Sequence, residues 1–319
     1  MSVNSKDYAL VFGASVVDIF GFSGDCYRQF NSTPGKVKIS FGGVCRNIAE
    51  NMARIGVNTK LISILGNDEI GRSMLEHSKV IGYDMSESLI LEKGGTPTYM
   101  AILNENGEMV SGIADMKSIG EMDMKFILSK AELIENAEYT FLDADDPNNL
   151  EFILTQFEGM TKFILDPVSA AKAEKIKHLI KYFHTIKPNR HEAEVLAGFK
   201  INDVDDLERA CDYFLELGIE NVFISLDEDG IFFANKDKRG QIKANNVLVR
   251  NVTGAGDSFV AGLGYSYMNN LPIEEAVKFS MGMSIITISH VETIHPKMSY
   301  EYVMDKLKEI TWEETVRVV

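Results

Sequence analysis

The sequence predicts an α/β fold: a mostly parallel central sheet with helices on both faces and a small β lid over its ligand edge. Three observations carry this expectation. Short apolar runs alternate with longer amphipathic ones, the rhythm of repeated β–α–β units. Two early stretches break that rhythm with alternating, glycine-containing segments. No low-complexity tract or internal repeat divides the 319 residues, so residues 1–319 read as one domain.

The runs at 8–12, 60–65, 139–142, 163–165, 183–186 and 222–226 read as strands. Each is a short apolar run of strand length. The stretches 46–55, 70–81, 150–157, 190–197, 207–217, 255–268 and 273–289 read as helices. Parallel strands joined this way take right-handed crossovers. The first interruption, 16–40, holds glycines, Pro34 and the alternating Lys36-Val37-Lys38-Ile39. In the second, 97–114, strand-like segments at 99–103 and 108–112 flank a glycine-containing turn, a hairpin pattern. These inserted strands read either as a lid or as decorative hairpins.

Hydrophobic residues make up 45% and charged residues 25% of the chain, an ordinary globular balance. The net charge of -15 argues against a broad nucleic-acid surface or an anionic-membrane surface. It also means that any phosphate must be held at a local positive site. Backbone amides, a helix N-terminus, a few Lys or Arg, or bound Mg²⁺ could supply one. Cys26, Cys45 and Cys211 form no CxxC pair and no metal-ligand spacing, so free thiols in a reducing compartment are expected. No basic segment followed by an apolar run opens the chain. No apolar stretch approaches the ~20 residues of a membrane helix. The expectation is a cytoplasmic protein.

The segment Asn251-Val-Thr-Gly-Ala-Gly-Asp-Ser-Phe-Val-Ala-Gly-Leu263 carries the most chemistry. Gly254 and Gly256 allow a tight turn and a close approach to ligand. The amides of Ala255, Gly256 and Asp257 would then open a helix, where free N–H groups and the dipole favour an anion. Asp257 at that mouth could take a proton from an attacking hydroxyl. It could equally be a helix N-terminal carboxylate favoured by the dipole alone.

In Lys187-Pro-Asn-Arg-His-Glu192, Pro188 can start a helix. Asn189 and Glu192 would share a face three residues apart. They could hold Mg²⁺ through water, or simply form a capping box. In Phe41-Gly-Gly-Val-Cys-Arg-Asn47, Gly42 and Gly43 precede a helix and leave room for substrate against the main chain. Asn47 offers donors and acceptors to sugar hydroxyls, or faces solvent. Asp18, after the first strand, could accept from a diol, or be solvated. His191, His290 and His295 show no metal-ligand pattern. A GxxxxGK[ST] loop is absent, as is a GxGxxG after a strand, which argues against P-loop and dinucleotide-binding enzymes.

These segments, in this order, resemble the ribokinase-like PfkB carbohydrate kinases. Gly66-Asn-Asp-Glu-Ile-Gly71 fits the same family. Further segments resemble its pseudouridine kinase branch: Asn31-Ser-Thr-Pro-Gly-Lys-Val-Lys38, the helix start containing Arg46, Gly107-Glu-Met109, Asp166-Pro-Val-Ser-Ala170 and His184-Thr-Ile-Lys-Pro-Asn-Arg190. The resemblance implies ATP-dependent phosphorylation of a nucleoside or sugar hydroxyl, the 5′-hydroxyl of pseudouridine in that branch. It implies Asp257 as base, with Gly254, Ala255 and Gly256 as the anion hole. Asn189 and Glu192 would organise Mg²⁺, with Asn189, Ser225, Thr253, Gly254 and Gly256 on the nucleotide side. Asp18, Gly42, Gly43 and Asn47 would bind ribose, and Asp143 is a further sugar-side candidate. Lys38 and Asp115 could read the base, or be exposed lid charges. A homodimer through the lid is implied by many relatives.

The alternatives are another acceptor of the family, such as ribose, fructose 6-phosphate or adenosine, and a catalytically silent binding module. The chain departs from the family at Asn251, where many members carry Asp beside a monovalent-cation loop, so K⁺ is not carried over. At Ser225-Leu226-Asp227, Asp227 stands where a glycine is usual.

Overall fold

Ala9-Leu-Val-Phe12 contains no polar side chain, and it forms a strand, β1, buried on both faces. Parallel strands covered on both sides require such runs. The structure is a computed structural model and describes residues 7–319. Its strands are β1 (Ala9–Phe12), β2 (Val16–Ser23), β3 (Gly35–Gly42), β4 (Thr59–Ile62), β5 (Ile64–Gly66), β6 (Leu89–Leu91), β7 (Thr98–Leu103) and β8 (Met109–Asp115). They continue as β9 (Tyr139–Asp143), β10 (Lys162–Asp166), β11 (Thr185–Ile186), β12 (Asn221–Ser225), β13 (Ile231–Asn235), β14 (Lys238–Ala244) and β15 (Trp312–Val318).

The central sheet runs β4–β1–β9–β10–β11–β12–β13–β14–β15. Pairing is parallel from β4 to β12 and antiparallel from β12 to β15. Leu10 and Phe12 face one core, with the helices Pro147–Gln156, Ala170–Ile176, Arg190–Ala197 and Val204–Glu216. Ala9 and Val11 face the other, with Val44–Arg54, Ala255–Met268 and Ile273–Ile288. Each fully buried Leu or Phe contributes roughly 1.5–3 kcal/mol. The last two helices approach closely because a Cβ on Gly262 would lie 2.5 Å from Ser280 Cα. Among the described residues no helix is long and apolar enough to cross a membrane.

Three expectations need correction. The single strand expected at 60–65 is two strands in different sheets, β4 against β1 and β5 against β6. The chain departs at Ser63, whose side chain bonds Ser15 Oγ at 2.8 Å and whose carbonyl accepts from the Leu89 amide. The strand expected at 183–186 shrinks to Thr185–Ile186. The sheet also carries three antiparallel strands, β13 to β15, that the β–α–β rhythm does not announce.

The two interruptions join as one small sheet, β3–β2–β7–β8. β2 pairs antiparallel with β3 and parallel with β7, and β7 pairs antiparallel with β8. Its foot is held by the Gly66–Gly71 motif. Asp68 caps the Glu69–Ile81 helix by accepting from Gly71 N at 2.7 Å, and it also accepts from Thr96 N and Thr96 Oγ1. One carboxylate thus fixes a helix start, for about 1 kcal/mol, and the approach to β7.

Candidate active site

The Ala255–Met268 helix begins where expected, and Gly254 is its N-cap at φ 83°. A side chain there would be strained in this left-handed region, and its Cβ would collide with the Thr293 carbonyl. The first intrahelical bond is Ser258 N to Gly254 O, 2.9 Å. The amides of Gly256 and Asp257 have no acceptor among the described residues. The Ala255 amide does, donating to Val252 O at 3.3 Å. Of the three amides expected to point outward, the turn takes that of Ala255 and leaves those of Gly256 and Asp257.

Asp257 is 9% exposed. Its Oδ2 accepts from Asn47 Nδ2 at 2.7 Å, joining residues 210 positions apart. Burial pushes the Asp257 carboxyl up to about 7, and nearby Asp166 adds to the rise. The Asn47 bond and the charges of Lys187 and Arg46 act against it. A carboxylate poised near neutrality is suited to general-base work.

Lys187 opens the 187–192 motif, but its sequence context assigns it no task. It is buried after β11, with Nζ 3.4 Å from Asp166 Oδ2. Burial lowers its proton affinity, but the carboxylates of Asp166, Glu192 and Asp257 outweigh that and raise it. Its ammonium would lie 2.7 Å from a Cβ at position 256. Asp166 ends β10, opposite Asp143 on β9. The run of strands ending at one edge, on which Asp143 already stands out, could have flagged Asp166 and Lys187 as well.

Asn189 and Glu192 form a capping box: Glu192 N donates to Asn189 Oδ1 at 2.9 Å, and Asn189 N donates to Glu192 Oε2 at 2.8 Å. Burial raises the Glu192 carboxyl, against the Asn189 amide and Lys187. Ser225 is bridged to Asn189, its amide donating to Pro188 O at 3.0 Å. Asp227 itself takes φ 52°, a conformation Asp tolerates better than most residues. Thr253 is exposed, its amide donating to Asn251 Oδ1 at 3.0 Å.

On the other side, Asp18 on β2 lies against Gly42, where any Cβ would strike the carboxylate. Its partial burial raises its proton affinity, and Arg46 opposes this. Gly43 caps the Val44–Arg54 helix at φ 96°. Asn47 is not solvent-facing but 5% exposed. Asp143 is buried, with Oδ2 unpartnered and its carboxyl raised to about 7 by burial and by Asp145. Lys38, a candidate either to read the base or to be an exposed lid charge, donates to Glu292 Oε2 at 2.6 Å. Asp115 is exposed at the end of β8, the edge strand of the small sheet. The structure therefore unites Asp257, Asn47, Lys187 and Asp166. It leaves Asp115 apart.

Comparison with known proteins decides the family. The model of the pfkB family carbohydrate kinases matches residues 6–299. The chain belongs to this family. It is a phosphotransferase with an alcohol acceptor by family, and the fold is ribokinase-like. The chain is 32% identical over 299 residues to pseudouridine kinase of Escherichia coli, covering 93% of this chain and 95% of the relative. A candidate sugar kinase from Clostridium perfringens has a crystal structure that superposes with TM-score 0.94 at 67% identity, over 98% of this chain and 99% of that one. Arabidopsis thaliana ribokinase in complex with ribose and ATP has the same fold, with TM-score 0.80 at 19% identity over 95% and 99% of the two chains.

Proposed function

We propose that this kinase transfers the γ-phosphoryl group of ATP to the 5′-hydroxyl of pseudouridine, with Asp257 as general base. The observation that carries the reading is a buried carboxylate, raised to about 7, at the mouth of a helix whose amides at 256 and 257 have no acceptor among the described residues. The acceptor O–H proton passes to Asp257. The oxygen attacks the γ-phosphorus, and the bond to the ADP oxygen breaks. The two amides, the helix dipole and Lys187 stabilise the negative charge on the migrating group. Asp18, Gly42 and Gly43 would position the ribose, and the small sheet would cover it as a lid and exclude water.

Mg²⁺ belongs to the same proposal. Asp166 and Glu192 present hard carboxylate oxygens beside the cradle. Among the described residues no three His, Cys, Asp or Glu side chains form a cage. Mg²⁺ needs none, since it takes one or two carboxylates, substrate phosphates and waters. Asp166 and Glu192 would hold it through water, and Asn189 less so because its Oδ1 caps a helix. Bound there, it would neutralise phosphate charge. K⁺ fits less well: Asn251 Nδ2 donates to Val291 O at 3.1 Å, where a carboxylate could not.

Pseudouridine as acceptor is supported by the similarity to the Escherichia coli enzyme and by the segments shared with that branch. Val37, Ile39, Met100 and Ile113 are exposed on the small sheet, and its open edge invites pairing with a second copy. The test is a coupled ADP-release panel of pseudouridine, uridine, adenosine, ribose and fructose 6-phosphate. Pseudouridine should be turned over with the highest kcat/KM. Turnover of ribose or adenosine in preference would assign the chain another acceptor. ATP binding without turnover of any would refute the kinase reading.

A further inference from the structure

The Val44–Arg54 helix carries a buried chain of side chains that ends on Asp257. Arg46 is 3% exposed, and its two terminal nitrogens point to different partners. Nη1 donates to Glu50 Oε2 at 2.8 Å, and Nη2 donates to Asn47 Oδ1 at 2.9 Å. Asn47 then donates from Nδ2 to Asp257 Oδ2 at 2.7 Å. Glu50 is 3% exposed and is gripped from behind. Its Oε1 accepts from Arg54 Nε and Nη2 at 2.8 and 2.7 Å, and His77 Nε2 lies 3.0 Å from Oε2. Burial pushes the Glu50 carboxyl up, but His77, Arg46 and Arg54 overcome this and hold it at about 2. It therefore stays an anion and a fixed acceptor for Arg46.

The chemistry of the two ends dictates the orientation of the amide between them. A guanidinium can only donate, so it selects the oxygen of Asn47. The NH₂ is then left for Asp257, which as an ionised carboxylate can only accept. A flipped amide would set oxygen against carboxylate and nitrogen against guanidinium, two repulsive pairs. Asn51 Nδ2 adds a bond to the Asn47 carbonyl at 3.0 Å, one turn on.

We propose that Arg46, buttressed by Glu50, is a positioning residue that locks the Asn47 amide with its NH₂ on Asp257. This fixes the carboxylate rotamer that faces the acceptor hydroxyl. The inference rests on Asp257 as the base, and the test separates the two ideas. Glu50 keeps Arg54 and His77 when Arg46 is removed, so its charge is not stranded in Arg46→Met.

The experiment measures kcat, KM and the pH profile of kcat/KM for Arg46→Met, Arg46→Lys, Asp257→Asn and the double variant Arg46→Met/Asp257→Asn. Thermal melts check the fold of each. Arg46→Met should lower kcat by roughly 10–10²-fold, the scale of a misplaced reacting group, with little change in KM. The acid limb of its profile should move to higher pH. Asp166, Lys187 and the Asn47 amide are the other groups facing Asp257, and they are unchanged in this variant. In the Asp257→Asn background the same substitution should have no further effect, since effects that act through one residue are not additive. Arg46→Lys keeps the charge but lacks the two-pronged fork. It should retain the position of the acid limb and recover only part of kcat, and it carries the test if Arg46→Met does not fold. An equal loss in both backgrounds, or an unmoved acid limb with normal kcat, would overturn the positioning role while an Asp257→Asn slowed to a small residual turnover leaves the base intact. An active Asp257→Asn would instead sink the base itself.

Discussion

The two sides of the site are built by different means. The phosphoryl side is made from the ends of core elements: the Ala255–Met268 helix, β10 and the segment after β11. Its charged groups are buried, with Lys187 Nζ 3.4 Å from Asp166 Oδ2 and both acting electrostatically on Asp257. The acceptor side hangs partly on the small sheet, where β8 is exposed along its whole length and the tie to the far loop is one half-exposed ion pair, Lys38 to Glu292. The difference teaches that chemistry is anchored where packing forbids motion. Under the proposed function, closure would fall to the part with the more exposed strands, where local opening costs least.

The sharpest way to break this contrast is at its rigid end. Asp257→Ala is expected to lower kcat by roughly 10²–10⁴-fold, with a normal circular dichroism spectrum. A folded variant with near-parent kcat would erase the distinction. Next in size is Lys187→Met, which removes the cation among three carboxylates. It should cost about 10–10²-fold in kcat, the low end for one preorganised charge contact, and raise KM for ATP. Steady-state assays with either substrate varied will show it.

The rigid end also sets the pH response. Asp257 must be ionised to accept a proton, so kcat/KM should fall about tenfold per unit below pH 7, the value near which its carboxyl sits. Stability should run the other way. With folded values of about 7 for Asp143 and Asp257, against about 4 unfolded, the native state binds more protons between those limits. Stability therefore declines as pH rises through that window. Relative to the parent, Asp257→Asn should gain melting temperature between pH 5 and pH 8. A pH-independent difference would show that burial is not the cause.

The smallest effect is expected at the loose end. Lys38→Ala breaks a pair whose side chains are 39% and 43% exposed. Such pairs are worth roughly 0–1 kcal/mol, so KM for the acceptor should change by no more than about fivefold and kcat hardly at all. A loss as large as that for Lys187→Met would mean that closure, not the cradle, limits the enzyme.

Local patterns made part of this legible. The helices at 190–197 and 255–268 stand where the sequence puts them, because Pro188 and Gly254 mark their starts. The inserted strands at 16–40 and 97–114 showed as breaks in rhythm. That they share one sheet did not, since β2 and β7 pair across some eighty residues of chain. The strand at 60–65 reads as continuous because one Ser is a slight interruption of its apolar run, and the partners of that Ser63 divide it. In the site, glycines and Asp257 were visible as a contiguous motif. Arg46 and Glu50 had a readable spacing of four on one helix face. The bond from Asn47 to Asp257 had no local signal. The pairing of Lys38 with Glu292, 254 positions away, was equally hidden.

Gly256 shows how a residue without charge can act electrostatically. Its φ is not in the left-handed region, so backbone freedom is not what the position demands. It demands emptiness, because a methyl group there would press on the Lys187 ammonium. A larger residue would push that ammonium out of its place among the carboxylates of Asp166, Glu192 and Asp257. A hydrogen atom on one α-carbon thus leaves room for the single cation that three buried acids share.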